Sequence, residues 1–324
     1  MAKVTIIIPC WNACSDVAGT VASALAQVGV DTEIVIVDDG STDPATLRAL
    51  DSIVDPRVRV FHQPNAGPAA ARNRAIAEAT GEYILPLDAD DLLDPTYAAK
   101  AAAVLDKQPD VGIVYCRAAK FGAEEGPWNL PEFSPDELAL GNVIFVSAMF
   151  RKADWKLVGG FDESLRHGME DYDFWIRLVH AGRKVVRLDE TLFRCRIRED
   201  SRTALFEQDR EQVVATYARI FRKNRDFFAE HAEALFSRHF AILKEMAALH
   251  ERLAEEAESA ATERARLVET KVEGDRYNAA LRSNLDRLQT ELTQAHMRIG
   301  ALQRRFRLLK LLWPDDKPPS EAST

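Results

Sequence analysis

Long hydrophobic runs are missing from this sequence, since none approaches the ~18 apolar residues of a membrane-spanning helix. The first nine residues are too short a hydrophobic stretch for a signal peptide, so we expect a cytoplasmic protein. Cysteine is scarce as well, with only Cys10, Cys14, Cys116 and Cys195 along the chain. These cysteines lack the companions of a zinc site and should be reduced, mostly buried thiols. The sequence thus argues against an integral membrane protein, a disulfide-stapled scaffold and a zinc protein.

Positive charge is also in deficit, because 42 lysine and arginine residues face 51 aspartate and glutamate residues, a formal net charge of −9. A surface of this sign repels polyanions, which argues against a nucleic-acid binder. A ligand that carries phosphate would need local help from a metal ion, a few arginines or helix N-termini. The hydrophobic content of 47% with 29% charged residues excludes a mainly disordered chain.

Up to about residue 190, short β-branched runs alternate with alanine-rich amphipathic stretches, a pattern typical of an α/β layer fold. Apolar residues on both sides of the pleat favour parallel strands that are covered by helices on both faces. The predicted strands are Val4–Ile8, Glu33–Val37, Val58–His62, Tyr83–Leu87 and Val111–Tyr115. The predicted helices are Ser15–Gln27, Pro44–Ile53, Pro68–Ala79 and Pro95–Lys107; a proline suits the first helical turn.

Polar sequences follow three of these strands: Pro-Cys-Trp-Asn at 9–12, Asp-Asp-Gly-Ser-Thr-Asp at 38–43 and Asp-Ala-Asp-Asp at 88–91. In such a sheet ligands bind at the carboxyl ends of the strands, so chemistry is expected there. Adjacent carboxylates repel one another, and the usual reason to gather them is a cation. Asp88 and Asp90 on a tight turn could hold Mg²⁺ together with nucleotide phosphates, although a solvated acidic turn is an equal alternative.

Five motifs stand in order along residues 3–200: Thr-Ile-Ile-Ile-Pro-Cys-Trp-Asn at 5–12, Ile-Val-Ile-Val-Asp-Asp-Gly-Ser-Thr-Asp at 34–43, Asn-Ala-Gly-Pro-Ala-Ala-Ala-Arg-Asn at 65–73, Gly-Glu-Tyr-Ile-Leu-Pro-Leu-Asp-Ala-Asp-Asp at 81–91, and Gly-Gly-Phe-Asp at 159–162 followed by Glu170-Asp171. This set resembles the motifs of glycosyltransferase family 2. The resemblance implies a GT-A fold, a Rossmann-like, mostly parallel sheet with helices on both faces. It also implies transfer of a sugar from a nucleoside diphosphate to an acceptor hydroxyl with inversion.

The resemblance also implies which residues contact the donor. Pro9 and Asn12 would line the nucleotide end of the site. Asp39 would accept a hydrogen bond from the base, typically a uracil or thymine N–H, so a UDP- or dTDP-sugar is favoured. Arg72 would approach the base or the diphosphate, unless it is a solvated helix arginine.

The same resemblance assigns the metal and the catalytic base. Asp90 matches the main ligand of Mg²⁺ or Mn²⁺, and Asp88 would contact the ribose or a metal-bound water. Asp171 matches the base, with Glu170 beside it. A sugar hydroxyl is a poor nucleophile, so a carboxylate must take its proton as the new bond forms. The alternative is that both acidic residues merely favour the first turn of a helix, where its dipole is positive. Trp175 is expected in the core rather than under an acceptor sugar.

Two departures from the family pattern limit the resemblance. Processive synthases of the family carry Gln-x-x-Arg-Trp and membrane helices; neither occurs in this sequence, which favours transfer of a single sugar. Many relatives also have a histidine near the end of the catalytic domain, whereas residues 193–202 contain none. The metal would then be held by Asp90 and the diphosphate. Arg198 or Arg202 would contact the leaving phosphates, unless they are simple surface arginines.

From about Thr203 the sequence becomes charged and helical, and apolar residues recur at alternating steps of three and four between Leu281 and Leu309. This periodicity predicts a coiled-coil seam that pairs with a second copy of the chain, or folds back onto the helices before residue 249. We therefore predict a catalytic domain at 1–200, a helical packing region at 201–245, a coiled coil at 246–313 and a disordered tail at 314–324. Residues 292–314 hold five basic and no acidic residues, which fits peripheral contact with the inner membrane face or simply the end of the coiled coil.

Two other functional classes share features with this sequence. A nucleotidyltransferase would need a glycine-rich, arginine-containing loop after its first strand, and residues 9–12 are unlike one. A coiled-coil interaction protein with a non-catalytic sugar-nucleotide binding domain remains the alternative to the transferase. For the transferase, the expected acceptor is a hydroxyl of a glycan or of a lipid-linked glycan.

Overall fold

The computed structural model describes residues 3–13, 16–198, 206, 208–269 and 274–312, except for the side chains of 268–269, 274–276, 279 and 302–312. The chain divides into two compact units, residues 1–231 and 232–324. The division lies about 30 residues beyond the catalytic boundary that the sequence predicts. No helix in the described ranges combines the length and apolar character needed to cross a bilayer.

Strands and helices alternate through most of the first unit. Its described strands are β1 (Lys3–Cys10), β2 (Asp31–Asp38), β3 (Val58–His62), β4 (Tyr83–Pro86), β5 (Leu92–Leu93), β6 (Val111–Gly122), β7 (Gly126–Trp128), β8 (Met149–Arg151) and β9 (Lys184–Ile197). Its described helices are α1 (Asp16–Leu25), α2 (Pro44–Asp51), α3 (Pro68–Glu78), α4 (Tyr97–Lys107), α5 (Pro135–Leu140), α6 (Lys152–Leu157), α7 (Glu170–His180), α8 (Arg210–Lys223) and α9 (Arg225–Glu230). The α/β class predicted from the sequence is confirmed.

These strands form one mixed sheet with the order β3-β2-β1-β4-β8-β6-β9-β5, and β7 pairs with β6. The first four strands along the chain run parallel to one another, as the apolar runs predict. The other half is less regular: β8 is antiparallel to both β4 and β6, while β6 and β9 pair in parallel. The sheet is therefore mixed, and its antiparallel strands were not predicted.

The core explains why the parallel half is regular. Ile6, Ile7 and Ile8 on β1 have no exposed surface, so both faces of the strand are covered. Residues 34–37 of β2 are equally buried. Helix α3 packs on β1 and β2 through its alanines, which allow the helix backbone to approach the sheet closely. Packing of this kind holds the carboxyl ends of β1, β2 and β4 side by side at one edge of the sheet.

The second unit contains two long helices, α10 (Ala232–Glu269) and α11 (Gly274–Leu312), which pack against each other. In α11, Ala295 and Ile299 are buried, whereas Leu285 and Leu292 of the predicted seam are 50% and 41% exposed. The last helix thus folds back on α10, which buries part of the predicted seam. Pairing of the exposed part with a second copy stays a prediction. The basic segment lies largely outside the described side chains, and the tail 314–324 lies outside the described residues.

Candidate active site

The nucleotide end of the predicted site is formed by the loops after β1 and β2. Pro9 lies at the carboxyl end of β1, opposite Val37 of β2. Asn12 adopts a left-handed backbone with φ of 48°, a conformation that asparagine tolerates better than most residues. Its Oδ1 accepts hydrogen bonds from the backbone N–H groups of Thr42 at 2.8 Å and Asp43 at 2.9 Å. Asn12 therefore joins the two loops.

Asp39 holds a third loop against these two. Its Oδ1 accepts from Gln63 Nε2 at 2.7 Å and from the Ala66 N–H at 2.9 Å, and its Oδ2 accepts from the Gly67 N–H at 2.8 Å. Asp39 is only 3% exposed. A carboxylate has about four acceptor positions, so one more donor, such as a base N–H, would complete the set. The contact of Asp39 with a nucleobase stays a prediction.

Arg72 links the acidic turn at 88–91 to the start of α7. Its Nη2 donates to Asp88 Oδ1 at 2.5 Å and its Nη1 donates to Glu170 Oε1 at 2.5 Å. The residue is 1% exposed, so the alternative of a solvated helix arginine is wrong. A single buried guanidinium thus fixes the positions of two acidic motifs that lie 82 residues apart in the chain (170 − 88).

The acidic turn carries three carboxylates in different surroundings. The side chains of Asp88 and Asp90 are 35% and 18% exposed, whereas Asp91 is buried and accepts a hydrogen bond from the Arg196 N–H at 2.8 Å. Burial, reinforced by the charge of Asp88, raises the pKa of Asp90, although Arg198 opposes the rise. Burial and the charges of Asp88 and Asp90 raise the pKa of Asp91 well above its usual value.

This turn fits a divalent cation of the kind that the sequence predicts. Burial and the charge of Asp88 disfavour the ionised form of Asp90, and a divalent cation bound between the two carboxylates would favour it. Oxygen ligands of this type suit Mg²⁺ and Mn²⁺. Within the described residues, no group of three or more His, Cys, Asp or Glu side chains could hold a metal. The ion would therefore take Asp90 and Asp88 and fill its remaining positions from the diphosphate and water.

The predicted base, Asp171, lies in the first turn of α7. Met169 precedes it in a left-handed conformation with φ of 68°, an uncommon state for a residue with a side chain. The Tyr172 N–H donates to Asp171 Oδ1 at 2.8 Å, and Asn142 Nδ2 donates to its Oδ2 at 3.0 Å. Burial and the neighbouring charge of Glu170 raise the pKa of Asp171 to about 6, against the opposing effects of Arg72 and these two donors.

Asn142 is a site residue that the sequence did not identify. It follows the short helix α5 and Gly141, and its amide reaches across 29 residues to Asp171. No sequence pattern marks it, because Gly-Asn after a helix is too common a pair to indicate a function. Trp175, by contrast, is fully buried, which confirms its expected place in the core.

The two predicted phosphate-binding arginines are only partly described. Arg198 follows β9, and its Nη2 donates to Asp90 Oδ2, so it lies at the acidic turn rather than on open surface. Arg202 lies outside the described residues. Contact of either arginine with a diphosphate stays a prediction.

A separate groove of about 690 Å³ runs beside the outer face of α3. Its lining includes Gln63, Ala66, Asn73, Trp155 and Glu163, but none of the acidic turn or the Glu170-Asp171 pair. Asn73 is occupied there as a structural residue, because its Oδ1 accepts from Trp155 Nε1 at 3.0 Å and from the Phe161 N–H at 2.9 Å. The groove therefore borders the site without containing its chemistry.

Comparison with known proteins agrees with this geometry. The family model described as glycosyl transferase family 2 matches residues 5–162, and a model described as the N-terminal domain of galactosyltransferase matches residues 145–199. The chain is 34% identical over 186 residues to a chondroitin synthase of Pasteurella multocida (strain Pm70) and 34% identical over 185 residues to a chondroitin synthase of Escherichia coli. These matches cover 56% and 55% of this chain but only 19% and 27% of the two synthases.

Solved structures share the fold. TarS residues 1–349 of S. aureus, in complex with UDP-GlcNAc, superimposes with a TM-score of 0.59 at 22% identity, covering 72% of this chain and 73% of that one. The mannosyltransferase PcManGT of Pyrobaculum calidifontis, in complex with GDP-Man and Mn²⁺, gives a TM-score of 0.58 at 19% identity and covers 97% and 88%. With five ordered motifs, a family 2 match over residues 5–162 and this shared fold, the first unit of the chain contains a glycosyltransferase family 2 domain with a GT-A fold, and a helical extension follows it in the sequence.

Proposed function

We propose that this protein transfers one sugar from a nucleoside-diphosphate sugar to a hydroxyl of a glycan or a lipid-linked glycan, with inversion at the anomeric carbon. A UDP- or dTDP-sugar is the favoured donor, and Mg²⁺ or Mn²⁺ is the cofactor. The observation that carries the proposal is the Arg72 bridge, which fixes the acidic turn and the start of α7 on either side of one buried guanidinium. A metal-binding turn and a catalytic base must lie near one sugar, and this bridge supports that placement.

Asp171 is the base in this proposal. A pKa of about 6 keeps the carboxylate ionised at neutral pH yet basic enough to accept a proton from the acceptor hydroxyl. Asn142 and the Tyr172 N–H each donate to one of its oxygens and thereby fix the orientation of the carboxylate. Inversion follows because the acceptor oxygen attacks the anomeric carbon from the face opposite the leaving diphosphate.

The donor is held by the carboxyl edge of the sheet. Pro9, Asn12 and Asp39 bind the nucleoside, while Asp88 and Asp90 hold the divalent ion and the ribose. When bound, the ion neutralises the charge that develops on the departing diphosphate. Arg198 and Arg202 are proposed to assist the leaving phosphates from the end of the catalytic sequence. The nucleotide-sugar complexes of TarS and PcManGT support this class of donor.

A panel of UDP-, dTDP- and GDP-sugars with Mn²⁺ or Mg²⁺ would test the proposal by the thermal stabilisation of the full-length protein. The stabilising donor is then incubated with glycan and lipid-linked acceptors, and release of the nucleoside diphosphate is followed. We expect transfer to an acceptor, with an inverted anomeric configuration by NMR. Stabilisation by a donor without turnover on any acceptor would favour the alternative, a non-catalytic sugar-nucleotide binding module.

We also propose that the helical unit mediates self-association through the exposed seam of α11. Leu285 and Leu292 leave half or nearly half of their surface in water, which a second copy of the chain could cover. Sedimentation equilibrium of the wild type should give a dimer or higher oligomer, and Leu285→Ser/Leu292→Ser should shift it toward monomer. Leu157→Ser, which alters a 64% exposed leucine of the catalytic unit, is the matched control. A wild type that stays monomeric at high concentration would contradict the proposal.

A further inference from the structure

One feature of the site is still unexplained: the Asp90 carboxylate forms an ion pair with an arginine of the same chain. Arg198 Nη2 donates to Asp90 Oδ2, and Arg198 Nη1 lies 3.9 Å from Asp16 Oδ2 at the start of α1. Arg196 reinforces the contact, because its Nε donates to the Asp90 carbonyl at 3.3 Å and its Nη2 lies 3.6 Å from Asp16 Oδ1. Arg198 thus holds the carboxylate proposed as the main metal ligand, while Arg196 holds the backbone carbonyl of the same residue.

A guanidinium and a divalent ion compete for this carboxylate. A bound Mg²⁺ would approach the oxygens of Asp90 to ~2.1 Å, and repulsion between two cations on one oxygen is strong where water is partly excluded. The Asp90 side chain is only 18% exposed, so solvent screens that repulsion poorly. The ion can therefore use Asp90 Oδ2 only when Arg198 has left it.

Among the described residues, Asp16 is the other carboxylate that pairs with Arg198. Asp16 already lies near Arg196, and its contact with Arg198 is long at 3.9 Å. A diphosphate presents several negatively charged oxygens, and arginine binds phosphate with two parallel hydrogen bonds. The Arg198 side chain is 40% exposed, so it can rotate toward such a ligand without disturbing the core.

We propose that Arg198 holds the metal position of Asp90 in the donor-free protein and releases it to the divalent ion only when a diphosphate arrives to take the guanidinium. Metal and nucleotide then bind with positive cooperativity, because each removes the obstacle to the other. The inference rests on the proposed function, since it assigns an order of binding to the same site.

Binding of Mn²⁺ to the full-length protein, measured by EPR of the free ion, tests this with no need for turnover. UDP, dTDP and GDP are first compared by thermal stabilisation, and the best of them is used as the nucleotide. In the wild type, the nucleotide should tighten Mn²⁺ binding about 5-fold or more, the lower end of typical coupling between sites. In Arg198→Gln, Mn²⁺ alone should bind about 5-fold tighter than to the wild type, and the coupling to nucleotide should fall by a similar factor, leaving the part that comes from direct ligation of the ion by the diphosphate.

Arg194→Gln is the matched control. Arg194 lies on β9, four residues before Arg198, carries the same charge and is exposed, with its guanidinium over the Phe121 ring at 4.9 Å from the centroid. Its substitution removes one positive charge from the same end of β9 but leaves Asp90 paired, so Mn²⁺ binding and coupling should match the wild type. A gain in Mn²⁺ affinity equal to that of Arg198→Gln would attribute the effect to net charge and overturn the inference.

The remaining outcomes separate the inference from the proposed function. If Arg198→Gln binds Mn²⁺ alone no better than the wild type does, the inference fails while the transferase stands. If sugar transfer proceeds with no dependence on metal, Arg198 replaces the ion rather than yielding to it, and the inference fails again. If no variant binds Mn²⁺ with any nucleotide and no sugar is transferred, the proposed function itself fails.

Discussion

The candidate site has a proposed nucleotide end at Asp38 and Asp39 and a proposed reaction end at Asp90 and Asp171. Both ends gather carboxylates, but their surroundings act differently on the charged form of these side chains. At the nucleotide end, Asp39 accepts three hydrogen bonds from one loop. Burial would raise the pKa of its neighbour Asp38, but hydrogen bonds from Ser41 and His62 outweigh burial and lower it. At the reaction end, burial and like charge raise the pKa of Asp90 and bring that of Asp171 to about 6.

Under the proposed function, the difference separates carboxylates that build the site from carboxylates that act in it. A carboxylate that already accepts several hydrogen bonds from the protein stabilises loops and has little need of a cation or a proton. A carboxylate whose charged form is penalised gains from meeting a cation or a proton, which is what metal binding and base catalysis require. Helix α3 connects the two kinds, because Gly67 at its start donates to Asp39 and Arg72 in its second turn holds Asp88 and Glu170.

The largest effect is expected for Asp171→Asn. Loss of the base should lower kcat by about 10²- to 10⁴-fold, the usual contribution of a general base. Donor binding should stay within about twofold of the wild type, because the change leaves Asp39, Asp90 and the diphosphate contacts in place. Turnover with a saturating acceptor and thermal stabilisation by the donor measure the two quantities. Wild-type turnover in this variant would remove Asp171 from the reaction.

The second effect is expected for Asp90→Ala, which removes the main proposed metal ligand. Both donor and Mn²⁺ should bind at least about tenfold more weakly, because the diphosphate is held through the ion. Calorimetry of Mn²⁺ and donor binding is the measurement. Asp91→Asn is the comparison: it removes the adjacent carboxylate, which accepts from the Arg196 N–H, and an amide oxygen can still accept there. If both variants lose metal binding equally, the turn attracts the metal through its total negative charge and Asp90 is not a specific ligand.

The third effect, expected for Asn142→Ala, concerns the pH profile. The Asn142 amide stabilises the ionised form of Asp171, so its loss should raise the pKa of the base above about 6. Because the ionised form is active, kcat/KM of the wild type should rise with pH through about 6, and the rise should move to higher pH in the variant. Asn129→Ala, at an exposed asparagine of the preceding segment, is the control and should keep the wild-type profile. A lowered plateau with an unmoved pH limb would contradict the positioning role.

Strand and helix positions in the parallel half could be predicted because strands that are buried on both faces have continuous apolar sequences. Val58–His62 was predicted with the bounds that the structure has, and the other three strands of this half differ by no more than two residues at either end. The strands β5, β7 and β8 were missed, since two or three residues are too few to show a period. Their place in the sheet comes from pairing with β9, β6 and β4, which only the folded chain reveals. The 14-residue strand β9 was missed as well.

The site was predictable in its parts and not in its connections. The acidic turn and the Glu170-Asp171 pair were found because they match a family pattern. Arg72 was placed near the donor, yet its partners lie 16 and 98 residues away and no local pattern names them. Asn142 was missed for the same reason, because its function depends on a hydrogen bond across 29 residues. Functional residues within one segment can be predicted from its sequence pattern, whereas a contact between distant segments is seen only in the folded structure.

The smallest effect on kcat is expected for Asp39→Asn at the nucleotide end. The amide cannot accept all three of the hydrogen bonds that the carboxylate receives, and one N–H group of the 63–67 loop would face another donor. The folded state should lose about 1 to 3 kcal/mol, seen as a lower Tm in calorimetry. The KM for the donor should rise because the loop and the base contact are disturbed, while kcat changes by less than about threefold.

This variant decides whether the two ends differ in kind. If Asp39→Asn lowers kcat as far as Asp171→Asn while its Tm and donor KM stay unchanged, Asp39 acts in the reaction and its hydrogen bonds are incidental. If Tm falls and KM rises with kcat retained, the carboxylate belongs to the structure that receives the nucleotide. The second outcome is expected, because three donors already stabilise the charge of Asp39, and a carboxylate so held has little free energy to gain from the transition state.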